Sequence, residues 1–139
     1  MMLDAIDHVH VYVEDLPAAA QWYQQLLGFQ HDEAFADWYA QGGPYVIRSG
    51  AASLSLFQRS VVTPGNTIAF AIQATKISAL LARLAQFSLD YRVVDHQLTW
   101  SVYFHDLSGN PLEVTCNDYA AATPVMVAAT QTVLGGRAG

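Results

Sequence analysis

The two halves of this 139-residue chain repeat one pattern of apolar residues. Each half begins with a strand-like run, continues with a run of helical spacing and ends with three more strand-like runs. When Thr67 is placed on His8, the opening runs of the two halves agree, and near the ends of the halves Glu113 falls on Ser55. Because one such half is too small to bury its own sheet, the pattern predicts an α+β fold in which two βαβββ modules form a curved mixed sheet around a cavity.

The opening run of the first half, IDHVHVYV at residues 6–13, alternates strictly between two faces. His8 and His10 lie on one face, whereas valines occupy the other face. A helix is predicted directly afterwards, because Asp15 is a suitable N-cap and Gly28 a suitable C-cap. The two imidazoles therefore leave the same side of one strand, at a spacing compatible with one polar cavity.

The other predicted elements complete the two modules. Residues 60–66 are predicted to connect the modules, because they contain a Pro-Gly turn pair. One domain is expected over residues 1–117, with modules at about 3–59 and 66–117, and the tail at 118–139 is expected to be partly flexible, as a packing arm, a dimer contact or a disordered segment. The strand-like runs lie at residues 29–35, 45–49, 53–58, 67–72, 91–94, 101–104 and 112–116, and the second helix begins at about residue 76.

Composition excludes several classes of partner. Hydrophobic residues make up 53% of the chain and charged residues 13%, and 6 Lys+Arg against 12 Asp+Glu give a net charge of −6. This balance is unlike that of disordered chains and offers no basic surface to nucleic acid or anionic membranes, so neither is expected as a partner. No basic residue precedes Asp4, as a signal peptide would require, and Pro124 interrupts the longest uncharged stretch, so a cytoplasmic protein is expected. The single Cys116 excludes an intrachain disulfide.

Two histidines and one carboxylate are the candidates for metal chemistry. Glu113 lies in PLEVTC, on the face opposite to the apolar residues of that strand. A carboxylate that faces a cavity needs a compensating cation, and beside an imidazole such as His8 it would form a corner suited to a hard metal ion. The alternatives are that His8 and His10 are hydrogen-bonded structural side chains and that Glu113 faces solvent.

The aromatic residues Trp38, Phe57 and Trp100 are interpreted as core or cavity wall, and an aromatic cavity suits a flat or apolar ligand. His31 and His96 are interpreted as surface or cavity-rim residues. The sequence has no Gly-rich phosphate loop, no Ser or Cys nucleophile motif and no HExxH helix. Kinase, nucleotide-dehydrogenase, α/β-hydrolase and zinc-peptidase functions are therefore unsupported.

The segment IDHVHVYVEDLPAAAQWYQQLLGF resembles the opening module of the vicinal oxygen chelate superfamily, and YFHDLSGNPLEVT resembles its closing motif. With the repeated βαβββ order, the resemblance covers about residues 3–117. This superfamily includes glyoxalase I, extradiol ring-cleaving dioxygenases, fosfomycin-modifying enzymes and bleomycin-resistance proteins that bind a drug without chemistry. The resemblance implies a cavity that binds a small organic molecule, and it implies a homodimer.

For metal-using members, the resemblance implies that His8 and Glu113 are ligands of a divalent metal, which could be Fe, Mn, Ni or Zn. Thr67 and Ser55 occupy the other two ligand positions, and neither is a usual ligand of such metals. His10, on the same strand face as His8, is a candidate third ligand. With so few protein ligands, water or substrate would complete the coordination shell.

Two functions follow as expectations. In the first, a metal ion accepts two substrate oxygens in lyase, isomerase or dioxygenase chemistry, and Glu113 is a catalytic residue that transfers protons. In the second, the protein sequesters a small molecule without metal or turnover. An adaptor whose cavity is closed by side chains is a third alternative. The expected cavity residues are Ser55, Phe57, Thr67, Trp38 and Trp100.

Overall fold

The computed structural model describes residues 1–132, and the chain divides into two compact units, one over residues 1–65 and one that begins at residue 66. Each unit contains one four-stranded mixed sheet with helices, and neither sheet is closed into a barrel. The predicted α+β fold of two similar βαβββ modules is therefore confirmed. Among residues 1–132, no helix combines the length and the apolar character needed to cross a membrane.

The first unit has the sheet order β1-β4-β3-β2, in which β1 and β4 are parallel and the other pairs are antiparallel. The register places His10 beside Ser55 across the β1–β4 pair. Val11 and Val13 are buried on the other face of β1, as the alternation predicted. Its elements are β1 (Val9–Val13), α1 (Leu16–Leu27), β2 (Gln30–His31), α2 (Ala36–Ala40), β3 (Tyr45–Ser49) and β4 (Ala52–Gln58).

Helix α1 begins and ends where the sequence predicts. The Asp15 carboxylate accepts a hydrogen bond of 3.1 Å from the backbone N–H of Ala18, which satisfies one free donor of the first turn. Gly28 ends the helix with a φ of +79°, a left-handed conformation that costs glycine little. Leu26 and Tyr23 are completely buried and anchor the helix in the core of the first unit.

The strand predicted at residues 29–35 is shorter in the structure, where only Gln30–His31 is extended. Asp32 accounts for the difference. Its side chain accepts a hydrogen bond from the Ala34 N–H at 3.2 Å and a second one from the Arg48 side chain at 3.0 Å. A short Asp side chain that bonds to the backbone two residues later favours a turn over a strand. The chain therefore enters a 3₁₀ turn at Glu33–Phe35, which leads into α2.

The second unit repeats this arrangement with the sheet order β5-β8-β7-β6. Strands β5 and β8 are parallel, and Glu113 of β8 lies between Ala69 of β5 and Tyr103 of β7. Leu112, Val114 and Cys116 are buried on the opposite face of β8, as predicted. Its elements are β5 (Ile68–Ala71), α3 (Ile77–Gln86), β6 (Arg92–Asp95), β7 (Trp100–His105), β8 (Pro111–Cys116) and α4 (Tyr119–Thr132).

Residues 119–132 of the tail form α4, which packs against the second unit. The indole N–H of Trp100 donates to the Thr123 hydroxyl at 2.9 Å, and the Tyr119 ring stacks on Trp100 with centroids 5.9 Å apart. Met126 is completely buried. This part of the tail is thus ordered against strands of the second unit, whereas the flexibility expected at the last glycines concerns residues 133–139, which lie outside the described residues.

Candidate functional site

Two imidazoles meet at the start of β1, where His8 directly precedes the strand and His10 lies in it. The Nε2 atoms of His8 and His10 are 3.1 Å apart, and the two rings stack at a centroid distance of 5.1 Å. The Nδ1 atom of His8 lies 2.8 Å from a carboxylate oxygen of Asp7. The His8 side chain is 40% exposed, so the pair is accessible to a ligand. Strand alternation brings the two histidines to one face, and the ring rotations bring their nitrogens together.

The Asp7 carboxylate can only accept a hydrogen bond from a ring N–H, so neutral His8 carries its proton on Nδ1. The Nε2 atom of His8 then accepts the hydrogen bond between the two rings, which the Nε2–H of His10 donates. To bind a metal ion through both Nε2 atoms, His10 would carry its proton on Nδ1 instead. A carboxylate behind Nδ1 is the usual way in which proteins orient a metal-binding imidazole and raise its basicity. Asp7 is thus a residue of this site that sequence reasoning did not identify.

The geometry of the histidine pair fits a metal ion. Bonds of about 2.0–2.1 Å to one metal place two imidazole nitrogens about 2.8–3.0 Å apart at a right angle and about 3.3–3.4 Å apart at a tetrahedral angle. The observed separation of the two Nε2 atoms, 3.1 Å, lies between these values. Two nitrogen donors are half of a four-coordinate shell. Over residues 1–132, no group of three or more His, Cys, Asp or Glu side chains is gathered closely enough to hold a metal ion.

Small and aromatic side chains continue the polar face of the first unit. Ser55, predicted to replace a metal ligand and to line the cavity, is 4% exposed and lies beside His10 in the register. The Phe57 ring packs on His10 with centroids 4.8 Å apart and on Tyr12 with centroids 5.8 Å apart. The structure therefore brings His8, His10, Ser55 and Phe57 together, as an imidazole pair beside an apolar surface.

In the second unit, Glu113 lies on the corresponding polar face. The Ser101 hydroxyl donates to the Glu113 Oε2 atom at 2.7 Å. Thr67, which directly precedes β5, is exposed. The structure thus gives the acid a hydrogen-bond donor that holds its carboxylate in one orientation. The histidine pair and Glu113 belong to different units, and their convergence on one metal ion stays a prediction.

Tyr103 is a further candidate that sequence reasoning missed. It lies opposite Glu113 in the register, and its hydroxyl is 2.9 Å from the Nε2 atom of His96. Partial burial raises the pKa of the Tyr103 phenol above its usual value, and the negative charge of Glu113 raises it further. Alternation within β7 places Tyr103 on the same face as Ser101, and this alternation is the sequence feature that could have identified Tyr103 as a residue of the site. His96, expected at the surface or the cavity rim, is thus a partner of Tyr103.

The two tryptophans expected in the cavity lie elsewhere within their own units. Trp100 is 4% exposed and pairs with Cys116 on the face of the second sheet that α4 covers, opposite to the Glu113 face. Trp38 is 55% exposed in α2, where it packs on Phe35 with centroids 4.8 Å apart. The structure therefore does not bring Trp100 beside Glu113 or Trp38 beside the histidine pair.

A separate cavity of about 320 Å³ lies between α1, α2 and the helix-covered face of the first sheet. His31 lines this cavity and stacks on Tyr45 with centroids 4.1 Å apart. Its Nε2 atom is buried and has no hydrogen-bond partner among residues 1–132. His31 therefore lies on the other face of the sheet from His8 and His10, and not beside the histidine pair.

Several solved structures share this fold. A glyoxalase/dioxygenase from Nostoc punctiforme is 18% identical with a TM-score of 0.67, and the match covers 84% of this chain and 92% of that one. A lactoylglutathione lyase from Agrobacterium tumefaciens is 19% identical with a TM-score of 0.67, covering 84% and 96%. A variant of the fosfomycin resistance protein FosX from Listeria monocytogenes, in complex with Mn(II) and a dihydroxypropylphosphonic acid, is 17% identical with a TM-score of 0.70, covering 86% and 97%. No curated protein matches the chain.

These similarities define a protein with the paired-βαβββ fold. The sequence profile of the Glyoxalase/Bleomycin resistance protein/Dioxygenase superfamily matches residues 5–114. The chain therefore belongs to this superfamily, which confirms the resemblance seen in its opening and closing motifs.

Proposed function

We propose that this chain binds a small organic molecule on the polar faces that carry His8 and Glu113, with a divalent metal ion that assists lyase, isomerase or dioxygenase chemistry. The observation that supports the metal is the pair of Nε2 atoms 3.1 Å apart, with Asp7 behind His8. His8 and His10 would hold the ion, and Glu113 would complete the set from the second unit. The superfamily relation supports the same proposal, and the FosX structure contains Mn(II).

Each residue has a distinct part in this proposal. A bound divalent cation would supply Lewis-acid polarisation of ligand oxygens. Asp7 keeps the proton of His8 on Nδ1, which leaves Nε2 free to bind. The Glu113 carboxylate, oriented by the Ser101 hydroxyl, can accept a proton from a bound molecule, which is the role of a general base. The Tyr103 phenol, whose pKa lies above its usual value, is protonated at neutral pH as an ordinary tyrosine is, and can donate a hydrogen bond.

The test of the metal site is metal content. Protein purified without chelator and loaded with Mn²⁺, Fe²⁺, Ni²⁺ or Zn²⁺ is analysed by inductively coupled plasma mass spectrometry, and affinities are measured by calorimetry. We expect one ion per chain in the native protein, none with His8→Ala, and an affinity about 10–100-fold lower with Asp7→Asn. His105→Ala, which removes an exposed imidazole of the second unit, is the matched control and should bind as the native chain does.

If no divalent metal binds under any loading condition, the metal-assisted function is wrong, and the second candidate, sequestration of a small molecule without metal, takes its place. Ser55 and Thr67 favour that candidate, because neither is a usual metal ligand. The aromatic contacts of Phe57 with His10 and Tyr12 also favour it, because they offer a surface for a flat molecule. Thermal-shift screening of a small-molecule library would then identify the ligand class.

We also propose that the protein acts in the cytoplasm as a homodimer and has neither nucleic acid nor membrane as a partner. The net charge of −6 supports the exclusion of polyanionic partners. Light scattering coupled to size-exclusion chromatography tests the dimer, because a mass of one chain per particle would contradict it.

A further inference from the structure

The polar face of the first unit carries a cation beyond the two histidines. Arg59 directly follows β4, and its guanidinium carbon lies 4.8 Å from the ring centroid of Tyr12 and 5.5 Å from that of Phe57. Phe57 packs in turn on the ring of His10, with centroids 4.8 Å apart. An unbroken row of rings therefore connects His8 and His10 to Arg59 along one face of the sheet.

Arg59 has no acidic partner among residues 1–132. Its contacts are the two aromatic rings and a hydrogen bond of 2.9 Å that it donates to the backbone carbonyl of Gln58. Arg48 of the same unit behaves differently, because it pairs with the Asp32 carboxylate at 3.0 Å. The rings orient the guanidinium and leave its charge available to a ligand.

The second unit has the same combination. The guanidinium carbon of Arg92 lies 4.9 Å from the ring centroid of Tyr103, and Tyr103 lies opposite Glu113 in the register. Arg92 also has no acidic partner in the part of the chain that the structure describes. In each unit, therefore, an arginine rests on an aromatic ring close to the residue proposed to bind metal or transfer protons.

We propose that the ligand of this site is a planar anion, a carboxylate carried on an aromatic or similarly flat group. The carboxylate would pair with Arg59, whose planar guanidinium matches the two carboxylate oxygens, and the flat group would lie against Phe57. This inference rests on the proposed function, because it concerns the same small-molecule site and names its ligand class. It does not depend on the metal, because Arg59, Phe57 and Tyr12 are not proposed as ligands.

The experiment compares salicylate with salicylamide, which have the same shape and differ in one charge. Calorimetric titration of the metal-depleted full chain should show salicylate binding about fivefold more tightly, the size expected for one partly solvated charge pair. Arg59→Gln should remove this preference and leave salicylamide binding unchanged, and Arg59→Lys should keep part of it. Lys76→Gln, which makes the same change of net charge at an exposed position of the second unit, should bind as the native chain does.

The outcomes separate the two proposals. If the native chain binds both compounds equally, or if Arg59→Gln leaves salicylate binding unchanged, the inference of an anionic ligand is wrong and the small-molecule site stands. An equal loss in Lys76→Gln also overturns the inference, since net charge would then explain it. If neither compound binds, the inference is wrong, and the metal content and the thermal-shift screen decide separately whether the small-molecule site stands. Far-UV circular dichroism establishes that each variant is folded. Substitutions of Arg59 are expected to leave the fold intact, because this residue is exposed.

Discussion

Replacement of Asp106 by alanine removes the acceptor that organises the turn between β7 and β8, the turn that aligns Ser101 with Glu113. The Asp106 Oδ1 atom accepts from the backbone N–H groups of Ser108 and Asn110, both at 2.9 Å, and its Oδ2 atom accepts from the Asn110 side-chain amide at 2.9 Å. Asp106 and Asn110 are both buried. Two of the three donors belong to Asn110, so two buried hydrogen bonds are lost when the carboxylate is removed.

The magnitude follows from these donors. A buried donor left without a partner costs about 1–3 kcal/mol, and the Ser108 N–H, which is only partly buried, can bond to water instead. Two buried donors on Asn110 then give a loss of about 3 kcal/mol in the free energy of unfolding, a large part of a typical total of about 5–15 kcal/mol. Asp118→Ala is the matched control, because its carboxylate accepts one exposed bond from Ala121 at 3.2 Å, worth about 1 kcal/mol at a helix N-terminus.

Urea denaturation followed by far-UV circular dichroism measures both variants. We expect Asp106→Ala to lower the free energy of unfolding by clearly more than Asp118→Ala, and Asp106→Asn, which keeps one oxygen acceptor, to lie between the native chain and Asp106→Ala. If Asp106→Ala costs no more than Asp118→Ala, the buried hydrogen bonds do not hold the turn, and the reasoning is refuted.

Three further predictions concern titration and packing. Glu113→Gln should lower the pKa of Tyr103 towards 10.0 in a tyrosinate absorbance titration, and an unchanged pKa would contradict the proximity of the two residues. Because the pKa of Tyr103 is raised in the folded state, the stability contributed by its neutral phenol is complete below the unfolded-state pKa. This stability is lost as pH rises through the folded-state pKa. The hydrogen bond from Arg48 lowers the pKa of Asp32, so this ion pair stabilises the fold above pH 3.8 and the stabilisation is lost as pH falls through the folded-state pKa. In carbon NMR of Arg48→Gln, the pKa of Asp32 should rise towards 3.8, and an unchanged pKa would refute the pairing. Met126→Ala should cost about 3 kcal/mol in urea denaturation, since Met126 is completely buried, and a loss below about 1 kcal/mol would show that α4 does not contribute to the core.

The candidate site was predictable in part. Strand alternation predicted His8 and His10 on one face of a strand at residues 6–13 and Glu113 on the polar face of β8. In the structure β1 begins only at Val9, so His8 directly precedes it, while His10 lies within it and Glu113 lies within β8. The orienting contacts were not predictable. Asp7 reaches His8 through a side-chain rotation, and Ser101 reaches Glu113 from a neighbouring strand, so neither contact follows from spacing within one strand.

The sequence by itself determined the local elements, because these elements depend on residues that are neighbours in the chain. Asp15 and Gly28 bound α1 because a cap needs only groups within one helical turn. The alternating valines of β1 fix its buried face, and the repeated order of elements predicts two modules of one fold. The superfamily is recognisable for the same reason, since its two motifs are continuous segments of chain.

Only the tertiary structure decided which distant residues share a surface. Trp100 belongs to the core under α4 because the register pairs it with Cys116. Tyr103 adjoins Glu113 because the same register pairs these two residues directly. A shift of one residue in that pairing would exchange the two faces of β7. Spacing along a strand separates its side chains into two sets, but the strands and helices that pack on each set determine which becomes core and which becomes site.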